Sequence, residues 1–289
     1  MAPTSAVQNF SDRHWPAAVA DSLSAGDLRN RHWEITVGNG PVFATAVHDG
    51  HGIRDSLDPW LALEEHERLR DEDPLTGVLT TVGDVQLRVH TSRFEVDLNR
   101  PRELAVYTDP EAAWGLEVWK HGLPPAEVER SLATHDHFYR TITSLMDSLL
   151  ARFGCVLLLD IHSYNHRRDG RHAAPADESG NPDIDLGVTT LDTSRFGNLA
   201  VDFAQSLRRA PLRDGFPDVR ENIRYEGGGH FPEWLYSRYG EQVCAISLEY
   251  KKIFMDEWTG KADIAMLDDL RSGLRTAVDS VRPHLAACR

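Results

Sequence analysis

Three short apolar runs that break directly into clusters of charged or imidazole side chains constrain this chain more than any other feature. Val42 to Val47 (VFATAV) runs into His48-Asp49-Gly50-His51, Cys155 to Asp160 (CVLLLD) into Ile161-His162-Ser163, and Val243 to Leu248 (VCAISL) into Glu249-Tyr250-Lys251-Lys252. Val85 to His90 (VQLRVH) is a fourth run of the same kind. Short segments rich in apolar and β-branched residues read as buried strands. Helical patterns lie between them: Pro59 to Arg70, then Pro124 to Phe153, which opens on prolines and stops at Gly154, and Asp263 to about Ala287. This alternation predicts an α/β fold in which a central mixed, mostly parallel sheet is flanked by helices, as a single domain over residues 1–289. Ligands of such sheets sit beyond the carboxyl ends of the strands. His48, His162 and Glu249 are therefore expected to share one site.

Composition limits what that site can serve. The chain of 289 residues is 41% hydrophobic and 26% charged, within the range of soluble globular proteins and outside that of disordered or fibrous ones. No stretch approaches the roughly 18 apolar residues of a membrane span. The first residues, MAPTSAVQNFSDRHWPAAV, have neither the basic start nor the apolar centre of an export signal, so a soluble, cytoplasmic protein is expected. With 31 basic and 45 acidic side chains the net charge is −14, which disfavours nucleic acid or an anionic membrane as partner. Local basic clusters can still bind a small acidic molecule. Cys155, Cys244 and Cys288 form no CxxC, and their odd number suits a reducing cytoplasm better than a disulfide framework. The oligomeric state is not legible in the sequence.

Neutral imidazole is a common zinc ligand, and catalytic zinc sites combine three protein ligands with one open position. His48 and His162 supply two, and the run Asp71-Glu72-Asp73 before Pro74 is the obvious source of an acidic third. His51, three residues after His48, forms an H-x-x-H pair, but its place between a strand and Gly52 makes shared ligation a weak expectation. Glu249, at a strand end, is placed to act as a general base beside a zinc centre. Asp97-Leu98-Asn99-Arg100 is expected to alternate along a strand, with Arg100 able to grip a carboxylate bidentately. The polar stretch Asn165 to Pro182 reads as a long loop. Its Arg167 and Arg168 follow His162 by so few residues that at least one is expected to border the site. There is no G-x-S-x-G elbow, Walker A loop or G-x-G-x-x-G after the first strand, and Gly227-Gly228-Gly229 reads only as a flexible turn.

Taken in order from about Phe43 to Gly260, these segments resemble the N-formylglutamate amidohydrolase family, which is related in fold to the zinc carboxypeptidases. Val47-His48-Asp49-Gly50 resembles that family's P-H-x-G, Asp71-Glu72-Asp73 its D-x-D, and Ser92 to Arg100 (SRFEVDLNR) its S-R-x-x-x-D-L-N-R. Asp160-Ile161-His162-Ser163 resembles D-x-H-S, Pro182-Asp183 with Leu186-Gly187 the L-P-D…L-G stretch, and Asn222 to Gly229 (NIRYEGGG) the pattern N-x-x-x-x-G-G. Ile246 to Glu249 with Phe254 to Glu257 resembles L-E-x…Y-M-D-E. The resemblance implies a zinc-dependent hydrolase of linear amides, most simply one that converts N-formyl-L-glutamate to formate and glutamate. It implies His48, His162 and an acidic residue as metal ligands, Asp73 before Glu72, Asp71 or His51, with Glu249 as base. By analogy with the zinc carboxypeptidases, Arg93, Asn99 and Arg100 would hold a substrate carboxylate. The loop with Arg167 and Arg168 looks unlike the usual family segment, and it is their closeness to His162 along the chain that makes one of them a candidate for a second carboxylate. A carboxypeptidase-like or peptide amidase activity is the alternative among enzymes. A metal- or ligand-binding module without catalysis is a further one, against which the presence of Glu249 argues.

Overall fold

The computed structural model describes residues 23–225 and 229–287. Seven strands among them form one sheet: β1 (Trp33–Val37), β2 (Val42–Ala46), β3 (Val85–Val89), β4 (Val156–Tyr164), β5 (Ile184–Gly187), β6 (Val219–Glu221) and β7 (Val243–Lys251). Their order is β1-β3-β2-β4-β7-β5-β6. The four central strands are mutually parallel, while β1 is antiparallel to β3 at one edge and β5 antiparallel to β7 toward the other. The helices are α1 (Ala25–Leu28), α2 (Glu65–Asp71), α3 (Thr76–Leu79), α4 (Pro125–Phe153), α5 (Thr193–Arg208), α6 (His230–Tyr239) and α7 (Ile264–Ala286).

Because side chains alternate along a strand, the fully buried β4 feeds two cores. Val156 and Leu158 pack with Phe138, Ile142 and Leu145 of α4 and with Phe231 and Leu235 of α6. Leu157, Leu159 and Ile161 pack on the other face with Phe196 and Phe203 of α5 and Leu270 and Leu274 of α7. A smaller cluster, including Leu57, Leu63, Phe94, Tyr107 and Trp119, anchors the long connections around residues 53–123. From β2 the chain crosses to β3 on one side and later returns to β4 on the other. That reversal opens a crevice at the carboxyl ends of β2 and β4.

The structure corrects several boundaries. β4 and β7 do not stop at Asp160 and Leu248; they pair in register from Val156↔Val243 to Tyr164↔Lys251. His162 and Glu249 therefore stand on strands, directly opposite each other. The expected helix from Pro59 begins only at Glu65, where Glu67 accepts the N–H of Glu64 at 2.8 Å. The residues before it turn, because Trp60, Leu61 and Leu63 are drawn into the smaller cluster. Asp97 to Arg100 forms turns and not an alternating strand: the carboxylate and carbonyl of Asp97 accept the N–H groups of Asn99 and Arg100. Asn165 to Pro182 is a loop broken by one short turn, Glu178–Gly180. Cys244 is a buried free thiol, and Cys288 lies outside the described residues. No helix among the described residues is long and apolar enough to cross a membrane.

Candidate active site

Three chain segments meet in the crevice. His48 follows β2 by two residues, and its carbonyl accepts the N–H of Asp73 at 2.9 Å, which ties the exit of α2 to the end of β2. Asp160 and His162, two apart on β4, project to the same face. Asp97 comes from the turn after β3. His48, Asp73, Asp97, Asp160 and His162 are all buried, none more than 4% exposed.

Each imidazole is held by a carboxylate on its outer nitrogen. His48 Nε2 lies 2.7 Å from Asp97 Oδ1, and His162 Nε2 lies 2.9 Å from Asp160 Oδ2. A neutral ring that donates from Nε2 presents a lone pair at Nδ1. Both Nδ1 atoms face the same oxygen: Asp73 Oδ2 is 3.5 Å from that of His48 and 3.1 Å from that of His162. His48 Nδ1 is buried with no hydrogen-bond partner among the described residues. One donor atom from each of the three residues falls within 4.8 Å of the others. Electron pairs converging in this way need a proton or a cation between them, and two imidazoles with one carboxylate are a donor set suited to zinc.

The ionisation of the cluster follows from its crowding. Burial would raise the Asp73 carboxyl, but the hydrogen bond from His162 and the nearby His48 ring outweigh it and hold the group well below the usual range. Asp97 behaves alike: burial opposes ionisation, while Arg93 and His48 overcome it. For His162 burial favours the neutral ring, yet the Asp160 charge wins and raises its pKa well above that of a free imidazole. Across the strand pair, desolvation lifts the Glu249 carboxyl to about 8 against the opposing charge of His162. Its side chain makes no hydrogen bond with any described residue and lines the cavity.

That cavity, about 940 Å³, is rimmed by Arg70, Arg93, Arg100, Arg168 and Arg224. Arg93 is fully engaged, donating to Asp97 Oδ2 at 2.8 Å and to Tyr107 and the Asp71 carbonyl at 3.2 Å each. Arg100 has no acidic partner among the described residues; its guanidinium lies 5.9 and 5.8 Å from the ring centroids of Tyr107 and Trp114. Trp114, 55% exposed, takes a left-handed φ of 54° that costs a non-glycine residue roughly 1 kcal/mol. Asn99 accepts the N–H of Phe231 at 2.8 Å, which leaves its Nδ2 turned to His162 at 3.5 Å.

The sequence pattern of the N-formylglutamate amidohydrolase family matches residues 40–255. The chain belongs to this family. An N-formylglutamate deformylase of Pseudomonas aeruginosa is 28% identical over 270 residues, covering 86% of this chain and 94% of that protein. The crystal structure of an N-formylglutamate amidohydrolase from Ralstonia eutropha superposes with a TM-score of 0.64 at 19% identity, over 88% of this chain and all of that one. A gene product of Agrobacterium tumefaciens superposes with a TM-score of 0.60 at 17% identity, over 90% of this chain and 99% of that one. These two likenesses are of fold.

Within this N-formylglutamate amidohydrolase fold, the sequence-predicted residues are distributed unevenly. His48, Asp73, His162, Glu249, Arg93, Asn99, Arg100 and Arg168 line the cavity. Arg167 does not: its N–H is bound by Glu257, its carbonyl accepts from the Trp258 indole, and its side chain is exposed. Among the other candidates for third ligand, His51 and Glu72 pair with each other at 2.5 Å, while Asp71 lines the cavity outside the three-residue cluster. Sequence reasoning did not reach Arg70, Trp114, Arg224, Tyr225 and His230, which share the cavity wall. Arg70 directly precedes the Asp71-Glu72-Asp73 run, and Arg224 and Tyr225 stand within the Asn222 to Gly229 segment, which are the signals that could have found them; nothing local marks Trp114 and His230. Gly229 is more than a flexible turn: its φ is +80°, and a Cβ there would stand 2.5 Å from Asn99 Nδ2. Gly227 and Gly228 lie outside the described residues.

Proposed function

We propose that this chain is a zinc-dependent amidohydrolase that cleaves the amide bond of an N-formyl or other N-acyl amino acid, with N-formyl-L-glutamate, giving formate and glutamate, as the first substrate. The convergence of His48 Nδ1, His162 Nδ1 and Asp73 Oδ2 beside the unpartnered carboxyl of Glu249 carries this reading. Family membership supports it. Those three residues would hold the ion, with Asp97 and Asp160 fixing the ring tautomers from behind. When bound, zinc supplies a Lewis acid that polarises an amide carbonyl and acidifies water.

Glu249 takes the proton of the attacking water on a carboxylate oxygen and returns it to the departing amide nitrogen. A carboxyl raised to about 8 retains protons avidly, and a nearby cation would draw it back toward neutrality, where such shuttling is most effective. Arg100 and the amide of Asn99 receive the substrate's α-carboxylate, with Arg93 steadying Asp97 beneath them. Arg168, which also lines the cavity, is available for a second carboxylate. The breadth of the cavity favours a carboxypeptidase-like or peptide amidase activity as the second reading.

The test is metal analysis together with a panel of N-formyl, N-acetyl and dipeptide substrates. Expected are one zinc per chain and the highest kcat/KM on N-formyl-L-glutamate; preference for dipeptides would favour the second reading. Glu249→Gln should keep the zinc and lose about 100-fold or more in kcat, because only the proton shuttle is removed. Wild-type turnover in that variant would exclude Glu249 as the base.

A further inference from the structure

Lys252, the residue after β7, is 1% exposed, an unusual setting for an ammonium. It lies outside the cavity lining and makes no ion pair within 4.0 Å among the described residues. Its Nζ instead donates to two backbone oxygens, those of Arg70 at 2.6 Å and Glu72 at 2.8 Å. Its own N–H is bonded to the Tyr164 carbonyl at 3.0 Å, which fixes the lysine backbone to the end of β4. The carbonyls of a helix's last turn have no partner within the helix. At the end of α2 this lysine supplies one, at the end of the helix dipole that favours a cation.

The chain that leaves α2 makes that contact consequential. Glu72 is the residue immediately before Asp73, and Asn165 donates to the same Arg70 carbonyl at 2.7 Å. Beyond Asp73 come Pro74 and then Leu75, whose φ of 73° is left-handed for a non-glycine residue. The segment carrying the acidic member of the cluster is thus short and bent, and its carbonyls are held by side chains: Arg93 takes that of Asp71, Asn165 shares that of Arg70, and Lys252 alone spans Arg70 and Glu72 among the described residues. We infer that Lys252 is a positioning residue for the metal centre: by gripping the Arg70 and Glu72 carbonyls, it aims the Asp73 carboxylate at the Nδ1 atoms of His48 and His162. This role rests on the proposed zinc centre.

A competing role has the opposite sign. Asp71, Glu72, Asp73 and Glu257 all exert their charge on Lys252. If the ammonium served only to offset them, removing it would leave the centre more negative and tighten its grip on a cation. If it positions Asp73, removing it loosens that grip.

The experiment compares wild type with Lys252→Met, which keeps the bulk of the stem, and Lys252→Gln, which keeps one donor. Zinc affinity is measured by chelator competition, the cobalt-substituted absorption spectrum is recorded, and melting of the zinc-free proteins is followed in parallel. The positioning role predicts a zinc dissociation constant raised about tenfold or more in Lys252→Met, a smaller rise in Lys252→Gln, and a shifted cobalt spectrum. kcat should fall with KM nearly unmoved, since Lys252 does not line the cavity. Unchanged or tighter zinc binding by a folded variant overturns the role, and a lower melting temperature alone does so as well. If the Met variant does not fold, the Gln variant carries the comparison. Failure of the wild type itself to bind zinc would overturn the metal reading and this inference with it, whereas wild-type binding matched by the variants overturns only the role of Lys252.

Discussion

The two walls of the cavity are built on opposite terms. On the strand-end wall, Asp97 accepts from His48, Arg93, Tyr107 and the Asn99 backbone, and His48, Asp73, Asp97, Asp160 and His162 are all buried. On the outer lip, Arg168 is exposed and, among the described residues, is held only by the Asn165 carbonyl at 3.2 Å and the Asn181 amide oxygen at 3.3 Å. The difference follows from solvent. A buried polar group left unpaired costs about 1–3 kcal/mol, so the inner wall tolerates one arrangement. At the lip, water replaces any lost partner, and residues can vary without endangering the fold. The proposed chemistry thus falls to the inner wall and the proposed substrate choice to the lip.

The largest effect that could break this comparison is expected from Asp97→Asn. It leaves the Arg93 guanidinium with a neutral partner in a buried site and weakens the acceptor behind His48. Zinc affinity should fall by about 10–100-fold, and denaturant unfolding should show a loss of about 3 kcal/mol. An Asp97→Asn protein that bound zinc and unfolded like the wild type would show the inner wall to be as tolerant as the lip.

A smaller effect sharpens the contrast from the other side. Arg168→Ala should raise KM for a dicarboxylate substrate about tenfold, the worth of one charge-assisted hydrogen bond, and leave KM for a neutral N-formyl amino acid unchanged. Arg167→Ala should alter neither, because its side chain lies outside the cavity wall. Equal losses on both substrates in Arg168→Ala would remove the lip from substrate choice.

A further expected effect concerns pH. The Glu249 carboxyl is raised from 4.5 to about 8 by desolvation, so between those values the folded protein holds a proton that the unfolded chain releases. Stability should therefore be greatest below pH 4.5 as far as this group is concerned and decline as pH rises through 8. In chelator-treated protein, Glu249→Gln should melt higher than wild type at about pH 8, with the gap closing by about pH 5. No gap at the higher pH would mean that the carboxyl is not desolvated in the folded chain.

Much of the inner wall was legible before folding was considered. VFATAV, CVLLLD and VCAISL are buried strands for the reason given by their composition, and the polar residues at their ends had to emerge at one edge of a parallel sheet. His48, His162 and Glu249 were found in this way. The lip was only partly legible. Arg168 could be placed from its distance along the chain to His162, but the same argument applied equally to Arg167, since chain length limits how far a residue lies from a site and says nothing of which way it faces. Arg224 and Trp114 reach the cavity through loops whose paths depend on packing elsewhere.

The sequence by itself determined the four central strands and the two histidines, because burial and alternation are local patterns with a fixed period; the outer strands β1, β5 and β6 carried no such mark. Only the tertiary structure decided which acidic residue joins the two histidines. Asp71, Glu72 and Asp73 are equivalent in composition, and it is the hydrogen bond from the Asp73 amide to the His48 carbonyl, with the Lys252 ammonium on the residues before it, that turns Asp73 inward. Glu72, one residue earlier, is turned to Ser92 and His51. The choice among three adjacent carboxylates rests on backbone contacts with residues about 25 and 180 positions away, which no local pattern encodes.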